Sequence, residues 1–250
     1  MKNIHETSVG HVIWESIDLS SILYIGSAAE FFVHKDIDWL FFTGGFLHDP
    51  IIRGIHTTQL VRMYTIADTP EEQQKVAEKI RGIHTHIEQK RGKTIPMNSY
   101  LDVLFMSFDM GIKAYELVVG ELSLERKKEF FNETLRFGTG MHLENLPKTY
   151  EEYLPMRKKA LTAHYRYTKQ SQELFDVFRK SIGSFRYFII RNIVTLMVDP
   201  EIKDLVPFKG DFWFPFFIFI YKHIRNDISV KIVFYLLVPK KYHKEFFANY

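Results

Sequence analysis

Two histidines separated by one residue, His84 and His86 in the segment RGIHTHI, have a type and spacing that could support chemistry. On a β-strand an H-x-H pair would place both imidazoles on one side, where they could bind the same metal ion. On an α-helix, positions two apart lie about 200° apart around the axis and cannot share an ion. The possible chemistry therefore depends on the element that carries the pair.

The segment around the two histidines is predicted to be helical. Thr69-Pro70-Glu71-Glu72 combines an N-cap Thr, a Pro at the first helical position and a Glu that completes a capping box. Apolar residues then recur at helical spacing, namely Val76, Ile80, Ile83 and Ile87. His84 falls on this apolar face and His86 on the opposite one. We therefore expect His84 to point inward and His86 to point outward.

An inward histidine on an apolar helix face has two interpretations. It can be a core residue bonded to a backbone carbonyl, or it can be the axial ligand of a haem, for which Met and Tyr are further options. Arg62 and Thr65 share a face of the preceding helical segment and could serve such a site. Arg62 could pair with a haem propionate or polarise bound oxygen, with Thr65 as a hydrogen-bond donor. The alternative is a partly exposed Arg and a Thr that bonds to its own helix.

The composition excludes several other chemistries. The chain has 250 residues and no Cys, which excludes disulfides, thiolate-ligated haem, Fe–S clusters and Cys-based zinc sites. The dinucleotide, P-loop, hydrolase-elbow and H-E-x-x-H signatures are missing, as is the Glu-x-x-His of di-iron proteins. A net charge of +3 argues against nucleic acid as a partner. The 23 Phe, 13 Tyr and 3 Trp predict an aromatic core or an apolar ligand.

Helix-capping residues and the spacing of apolar residues along the chain predict an all-α fold. Capping residues and apolar spacing indicate helices over Glu72–Arg91, Ser99–Val118, Leu124–Phe137 and Tyr150–Lys180, the last with a kink or restart at Pro155. Alternating strand patterns with hairpin turns are missing, although the propensity of VKIVFYLLV would allow one strand. No linker or repeat divides the chain. We expect a single domain over residues 1–250, built as a multi-helix bundle.

Several other polar residues are weaker candidates. Asp102, Asp109 and Glu116 repeat every seven residues, which could be an acid–base array but is more typical of a solvated helix face. His142, His164 and Arg191 could also contribute to a site, and an internal Arg191 would need a carboxylate or a bound anion.

The C-terminal part is aromatic and basic. The apolar run Phe212–Tyr221 is about half the roughly 20 residues that a membrane span requires. A core segment is the favoured interpretation, and contact with a membrane surface is the alternative. The first residues do not resemble a signal peptide, so we expect a cytoplasmic protein.

Several motifs in this order resemble a known family. After Arg62 and Thr65 come KIRGIHTHI, then NSYLDVLFMSFDMGIKAYELVVGELSLERKKEFFNE, then RFGTGMHLENLPKTYEEYLPMRKKAL. Together they are similar to the catalytic domain shared by latex-clearing rubber oxygenases and the MpaB-type oxygenases of mycophenolic acid biosynthesis. The resemblance is strongest over residues 51–161.

This resemblance implies a globin-like helical core, haem b with its iron as cofactor, and dioxygen used on an apolar substrate. The family's axial histidine matches His84. Its Arg and Thr usually stand four residues apart, whereas Arg62 and Thr65 stand three apart. Either the alignment shifts here or this branch has changed the site.

Two classes of function follow from these observations. The first is a haem b-dependent oxygenase acting on an isoprenoid or lipid-like substrate, with His84 as the iron ligand and Arg62 and Thr65 near the reacting oxygen. The second is a helical lipid-binding or membrane-surface protein without a cofactor and without catalysis. A non-haem metal enzyme is a third hypothesis, which no carboxylate–histidine spacing supports.

Overall fold

The computed structural model describes residues 8–43 and 45–248. Within these residues the chain is helical and contains no β-strand, only an isolated antiparallel bridge between His34 and Tyr165. The all-α prediction is confirmed. The α-helices are α1 Val9–Glu15, α2 Ile17–Phe31, α3 Asp38–Thr43, α4 Gly45–His48, α5 Pro50–Thr65, α6 Pro70–Arg91, α7 Met97–Val118, α8 Leu124–Gly140, α9 Tyr150–Ala163, α10 Lys169–Met197, α11 Pro200–Lys203, α12 Phe214–Ile224, α13 Asp227–Leu237 and α14 His243–Phe247.

The predicted helix starts are confirmed where capping residues signalled them. The Thr69 hydroxyl accepts a hydrogen bond from the Glu72 N–H at 3.2 Å, and α6 begins at Pro70 as expected. Helix α6 ends at Arg91, and its C-cap Gly92 has a φ of 65°, in the left-handed region that favours glycine. Helices α7 and α8 likewise cover the segments predicted for them.

The predicted interruption at Pro155 is wrong in its position. Helix α9 continues through Pro155 and ends at Ala163, and the break between α9 and α10 covers residues 164–168. The backbone turns there because Arg166 N–H donates to the Val33 carbonyl and Thr168 caps the next helix. A second break lies within α10 at Gly183, whose φ of 78° and ψ of 164° are not helical.

Helices α2 and α7 form the centre of the bundle and pack along each other. The main core cluster extends from Val9 in α1 to Phe214 at the start of α12. Its densest part is aromatic: Phe105, Phe131 and Tyr153 are almost fully buried, with the Phe105 and Tyr153 ring centroids 4.9 Å apart. The composition predicted an aromatic core or an apolar ligand, and this cluster is such a core.

The C-terminal segment differs from its prediction in two ways. The expected core segment Phe212–Tyr221 is largely exposed, and Phe212 and Trp213 are 87% and 72% exposed. The possible strand VKIVFYLLV forms part of helix α13 instead, because Asn226 makes a capping box with Ser229 that starts a helix. None of the described helices combines the length and apolar character that crossing a membrane requires.

Candidate functional site

A cavity of about 730 Å³ lies among α1, α2, α3, α5, α6, α7 and α8. Its wall is mainly apolar and aromatic, and Trp14, Phe31, Tyr64 and Leu104 contribute to it. The volume is within the range of about 300–1,000 Å³ that is typical of small-molecule and cofactor sites. The many aromatic residues predicted either an aromatic core or an apolar ligand. The structure therefore contains a space that suits an apolar ligand as well as the aromatic core.

His84 lines this cavity from α6, and His86 is exposed on the other side of the helix. The predicted inward and outward directions are confirmed. The Nδ1 atom of His84 lies 2.8 Å from the carbonyl oxygen of Ile80, one helical turn earlier. A carbonyl can only accept, so Nδ1 carries the proton and Nε2 keeps its lone pair. This is the bond expected of a core histidine, and a backbone carbonyl is also one of the partners that orient metal-ligating histidines.

The surroundings of His84 favour its neutral form. Burial lowers the pKa of His84, and the positive charges of Arg53 and Arg81 lower it further. The bond to Ile80 and the nearby Glu88 oppose this shift without reversing it. An imidazole with a lowered pKa is unprotonated at neutral pH, which is the state that can bind a metal.

Thr65 and Arg62, the other residues predicted for the site, lie in different surroundings. Thr65 lines the cavity, and its hydroxyl donates to the Val61 carbonyl at 3.1 Å, which is the bond within its own helix considered above. Arg62 is not among the cavity-lining residues in the described part of the chain. Its Nη2 atom lies 3.7 Å from Oε1 of Glu15 in α1. The structure thus brings His84 and Thr65 to one cavity and directs Arg62 toward α1.

A second Arg–Thr pair on the same helix does line the cavity. Arg53 and Thr57 stand four residues apart in α5, and both face the same space as His84. This spacing is the one that the family resemblance implies for its Arg and Thr. Among the described carboxylates, none lies within ion-pair distance of the Arg53 guanidinium. The four-residue spacing could have identified this pair from the sequence, where Arg62 and Thr65 were expected instead.

Tyr24 of α2 packs against Gly54, the residue that follows Arg53. Its ring lies so close to Gly54 that a Cβ atom there would be 2.5 Å from Cε1 of the ring. Burial raises the pKa of Tyr24 to about 12, against the positive charge of Arg53. The Tyr24 hydroxyl therefore stays protonated at neutral pH and can donate a hydrogen bond. Gly54 is the position that lets α5 approach this ring.

The cavity residues fit a haem group in three respects. The walls are apolar like the macrocycle, and His84 offers one lone pair to an iron. The cavity lining also contains two arginines, Arg53 and Arg136, which are suitable partners for propionates.

A different cluster could in principle hold a metal ion, namely His34, Asp102 and His164. Both imidazoles contact Oδ2 of Asp102, with His34 Nε2 at 3.0 Å and His164 Nδ1 at 2.6 Å. The Nδ1 atom of His34 accepts a hydrogen bond from the Asp36 N–H at 3.2 Å, so its proton resides on Nε2. A protonated Nε2 donates to Asp102 and has no lone pair for a metal. The geometry therefore favours a hydrogen-bonded network over a metal site.

This network overturns one interpretation of the sequence. Asp102 and Asp109 were expected on a solvated face of α7, but Asp102 is buried and Asp109 bonds to Tyr153 and Arg157. The reason is that buried basic and hydroxyl groups from α9 and the following turn lie against that face. His164 thus has a structural partner. Arg191 is partly exposed rather than internal, and it pairs with the Asp211 carboxylate at 2.5 Å.

The fold and cavity together describe a helical domain that encloses an apolar space and presents one available imidazole to it. The family model described as "ER-bound oxygenase mpaB/B'/Rubber oxygenase, catalytic domain" matches residues 37–214. Because this match covers more than half of the chain, the protein belongs to the MpaB and rubber oxygenase catalytic-domain family. No curated protein and no solved structure matches the chain significantly.

Family membership confirms the resemblance found in the sequence and extends it on both sides of residues 51–161. The family is an oxygenase catalytic domain, which supports an oxygenase activity with dioxygen and a substrate in general terms. The matched range contains His84, Arg53, Thr57 and the whole of the cavity wall from α3 to α8.

Proposed function

We propose that this protein is a haem b-dependent oxygenase that uses dioxygen on an apolar substrate. The observation that carries the proposal is the orientation of His84, whose Nδ1–H is held by the Ile80 carbonyl while the ring lines an apolar cavity of about 730 Å³. A bound haem would supply the redox chemistry that activates dioxygen. The chain's own residues would hold that group, orient the substrate and exclude water.

His84 would be the protein ligand to the iron, through Nε2. Its carbonyl partner fixes the ring orientation, and Tyr100 packs edge-on against it with the centroids 5.4 Å apart. Tyr100 is held in turn by Glu88, because its hydroxyl donates a hydrogen bond to Glu88 Oε1 at 3.2 Å. This second layer of contacts limits rotation of the imidazole and preorganises the ligand.

Arg53 would be the main charged donor inside the cavity. Its guanidinium can donate hydrogen bonds to an anionic group there, either a propionate or negative charge that develops on oxygen. Thr57, one turn later, lines the same wall, and its hydroxyl donates to the Arg53 carbonyl at 2.9 Å. The sequence prediction that Arg62 and Thr65 have this role stays a prediction, and the experiment below tests both arginines.

The substrate class follows from the cavity wall. Leu23, Phe31, Val61 and Leu104 contribute to it, and they offer no hydrogen bonds to a ligand. An unsaturated hydrocarbon chain, of an isoprenoid or lipid type, suits such a wall because it loses no hydrogen bonds on leaving water. The cytoplasmic location expected from the sequence remains part of this proposal.

Oxygen uptake by haem-reconstituted variants tests the proposal. We expect the parent protein to consume oxygen with an unsaturated lipid such as squalene. Arg53→Ala should keep most of its haem and lose about 100- to 1,000-fold in rate, the usual cost of removing one donor to a developing charge. Arg62→Ala is the matched comparison, because it removes the same group on the side of α5 that faces Glu15.

The two arginine variants separate the possible outcomes. A large loss in Arg62→Ala with no loss in Arg53→Ala would reverse the assignment in favour of the sequence prediction. A reconstituted parent protein that binds haem but consumes no oxygen with any apolar alkene would contradict the oxygenase proposal. In that case the cofactor-free lipid-binding hypothesis would also fail, because the haem would be bound.

A further inference from the structure

An apolar surface at the C-terminal side of the molecule is left exposed by the described residues of the chain. We call it the C-terminal apolar face and define it by Phe185, Phe212, Trp213, Phe217, Ile228 and Leu236, which are 59–87% exposed. Isolated exposed apolar residues are common, but a clustered set of large ones marks an interaction surface.

The helices that carry this face are neighbours. The ring of Phe188 in α10 packs against Phe214, and Phe214 packs against Phe217 in α12, with centroid distances of 6.3 and 6.4 Å. The Nε–H of Arg186 in α10 donates to the Leu237 carbonyl at the end of α13. Helices α12 and α13 therefore both contact α10, which carries Phe185.

The same region is strongly basic. Residues 209–248 contain seven Lys and Arg against three acidic residues, so their surplus of four exceeds the net charge of +3 of the whole chain. Lys209, Lys231, Lys240 and Lys244 are all exposed. Of the three arginines on the adjoining α10, Arg191 pairs with Asp211 and Arg186 donates to the Leu237 carbonyl. The four exposed lysines therefore supply accessible positive charge in the same region of the chain.

The positive charge distinguishes between two candidate partners for the C-terminal apolar face, a second copy of the chain and an anionic membrane. A second copy of the chain, bound through a two-fold axis, would place this basic region against itself and bring like charges together. An anionic membrane offers the opposite charge to the lysines and an apolar layer to the aromatic residues. Helices α12 and α13 have 11 residues each, which is too short to cross a bilayer but enough to lie on one.

We propose that the C-terminal apolar face binds the surface of an anionic membrane, with Phe212 and Trp213 inserted between headgroups and the lysines beside them contacting lipid phosphates. Trp and Phe are suited to this depth because their large apolar rings leave water there. This inference does not depend on the proposed function, since the surface is separate from the residues that line the cavity.

Sedimentation of the full chain with lipid vesicles tests the inference. We expect binding to phosphatidylcholine vesicles that contain phosphatidylserine, and weaker binding to phosphatidylcholine alone or at high salt. Lys231→Gln/Lys244→Gln should reduce partitioning about 25-fold, at about five-fold for each lysine near an anionic surface. The matched control is Lys75→Gln/Lys79→Gln, which removes two exposed lysines from α6 and should bind like the parent.

A second pair of variants tests the apolar contribution. Phe212→Ser/Trp213→Ser should lose at least about tenfold in partitioning, because two aromatic side chains no longer leave water. Leu124→Ser/Leu154→Ser is the control, since these leucines are 52% and 49% exposed on other helices. Far-UV circular dichroism should show equal helicity in all four variants.

Fluorescence quenching gives a result that does not depend on a loss of binding. Brominated lipid should quench the tryptophan emission of the parent protein, and Trp213→Phe should bind vesicles normally with most of this quenching removed. The inference is overturned if the parent does not bind anionic vesicles or if the control lysines matter as much as Lys231 and Lys244. It is also overturned, in favour of a second copy, if the chain forms a dimer through this face and ignores vesicles.

Discussion

Replacing Arg157 by Met should destabilise the protein more than any exposed ion-pair substitution. Arg157 lies in α9 and is 5% exposed, and its guanidinium reaches three partners. Its Nη2–H donates to Glu30 at 2.7 Å, its Nε–H to Asp109 at 2.6 Å and its Nη1–H to the Tyr165 hydroxyl at 3.1 Å. These partners come from α2, α7 and the turn after α9.

The magnitude follows from what Arg157→Met leaves behind. Glu30 is fully buried, so the variant leaves its carboxylate without a counter-ion in the interior. Asp109 is 17% exposed and keeps contact with water. Breaking a buried pair from one side typically costs about 3–5 kcal/mol in the free energy of unfolding. This is a large part of the roughly 5–15 kcal/mol of a whole domain.

The loss should depend on pH in a defined direction. Burial raises the pKa of Glu30 even with Arg157 beside it, so removing Arg157 raises it further. A carboxyl with a folded pKa above its unfolded pKa binds a proton on folding, and stability then falls as pH rises between the two values. Urea unfolding should therefore show a smaller loss at about pH 5 than at about pH 8.

Two further variants complete the experiment. Glu30→Gln/Arg157→Met should be more stable at neutral pH than Arg157→Met alone, because no buried charge remains. Lys128→Met removes an exposed partner of Glu151 and should leave stability unchanged within error. Equal losses for Arg157→Met at both pH values, with no recovery in the double variant, would show that a buried Glu30 charge does not cause the destabilisation.

The remaining predictions concern the cavity wall and the ligand. Gly54→Ala should destabilise the protein by about 1–3 kcal/mol, since its Cβ would lie 2.5 Å from the Tyr24 ring. Gly82→Ala, a control on α6 with open space around it, should stabilise by about 0.5–1 kcal/mol in the same thermal unfolding assay. Haem affinity should be constant at neutral pH and fall up to about tenfold per pH unit below the lowered pKa of His84. Equilibrium titration with haemin checks this, and an affinity that rises on acidification would contradict it.

Local sequence signals predicted the helices well, but they did not predict the contacts between helices. Thr69 and the apolar spacing that follows it were enough to place α6 and to direct His84 inward, because capping and helical phase are properties of neighbouring residues. The break after Ala163 depends on pairing with the turn that follows α2, far away in sequence. No local pattern contains that information.

The polar network around Asp102 likewise depends on contacts between helices, whereas the cavity arginine Arg53 had a signal in the sequence. Asp102 looks like a surface residue on its own helix, and only the approach of His34 and His164 makes it a buried acceptor. Arg53 and Arg62 lie on one helix, and only Arg53 is followed by a Thr at the four-residue spacing that would have pointed to it. The exposed C-terminal helices were assigned to the core because a run rich in Phe is usually buried.

A titration of the purified protein with haemin, followed by visible absorption, tests whether His84 binds the iron. We expect the parent protein to bind one haem with a sharp Soret band, and His84→Ala to lose this stoichiometric binding while keeping its helical circular dichroism. His86→Ala, with its exposed ring on the opposite side of α6, should bind like the parent. Unchanged binding and spectrum in His84→Ala, or equal loss in both variants, would contradict the assignment of His84 as the iron ligand.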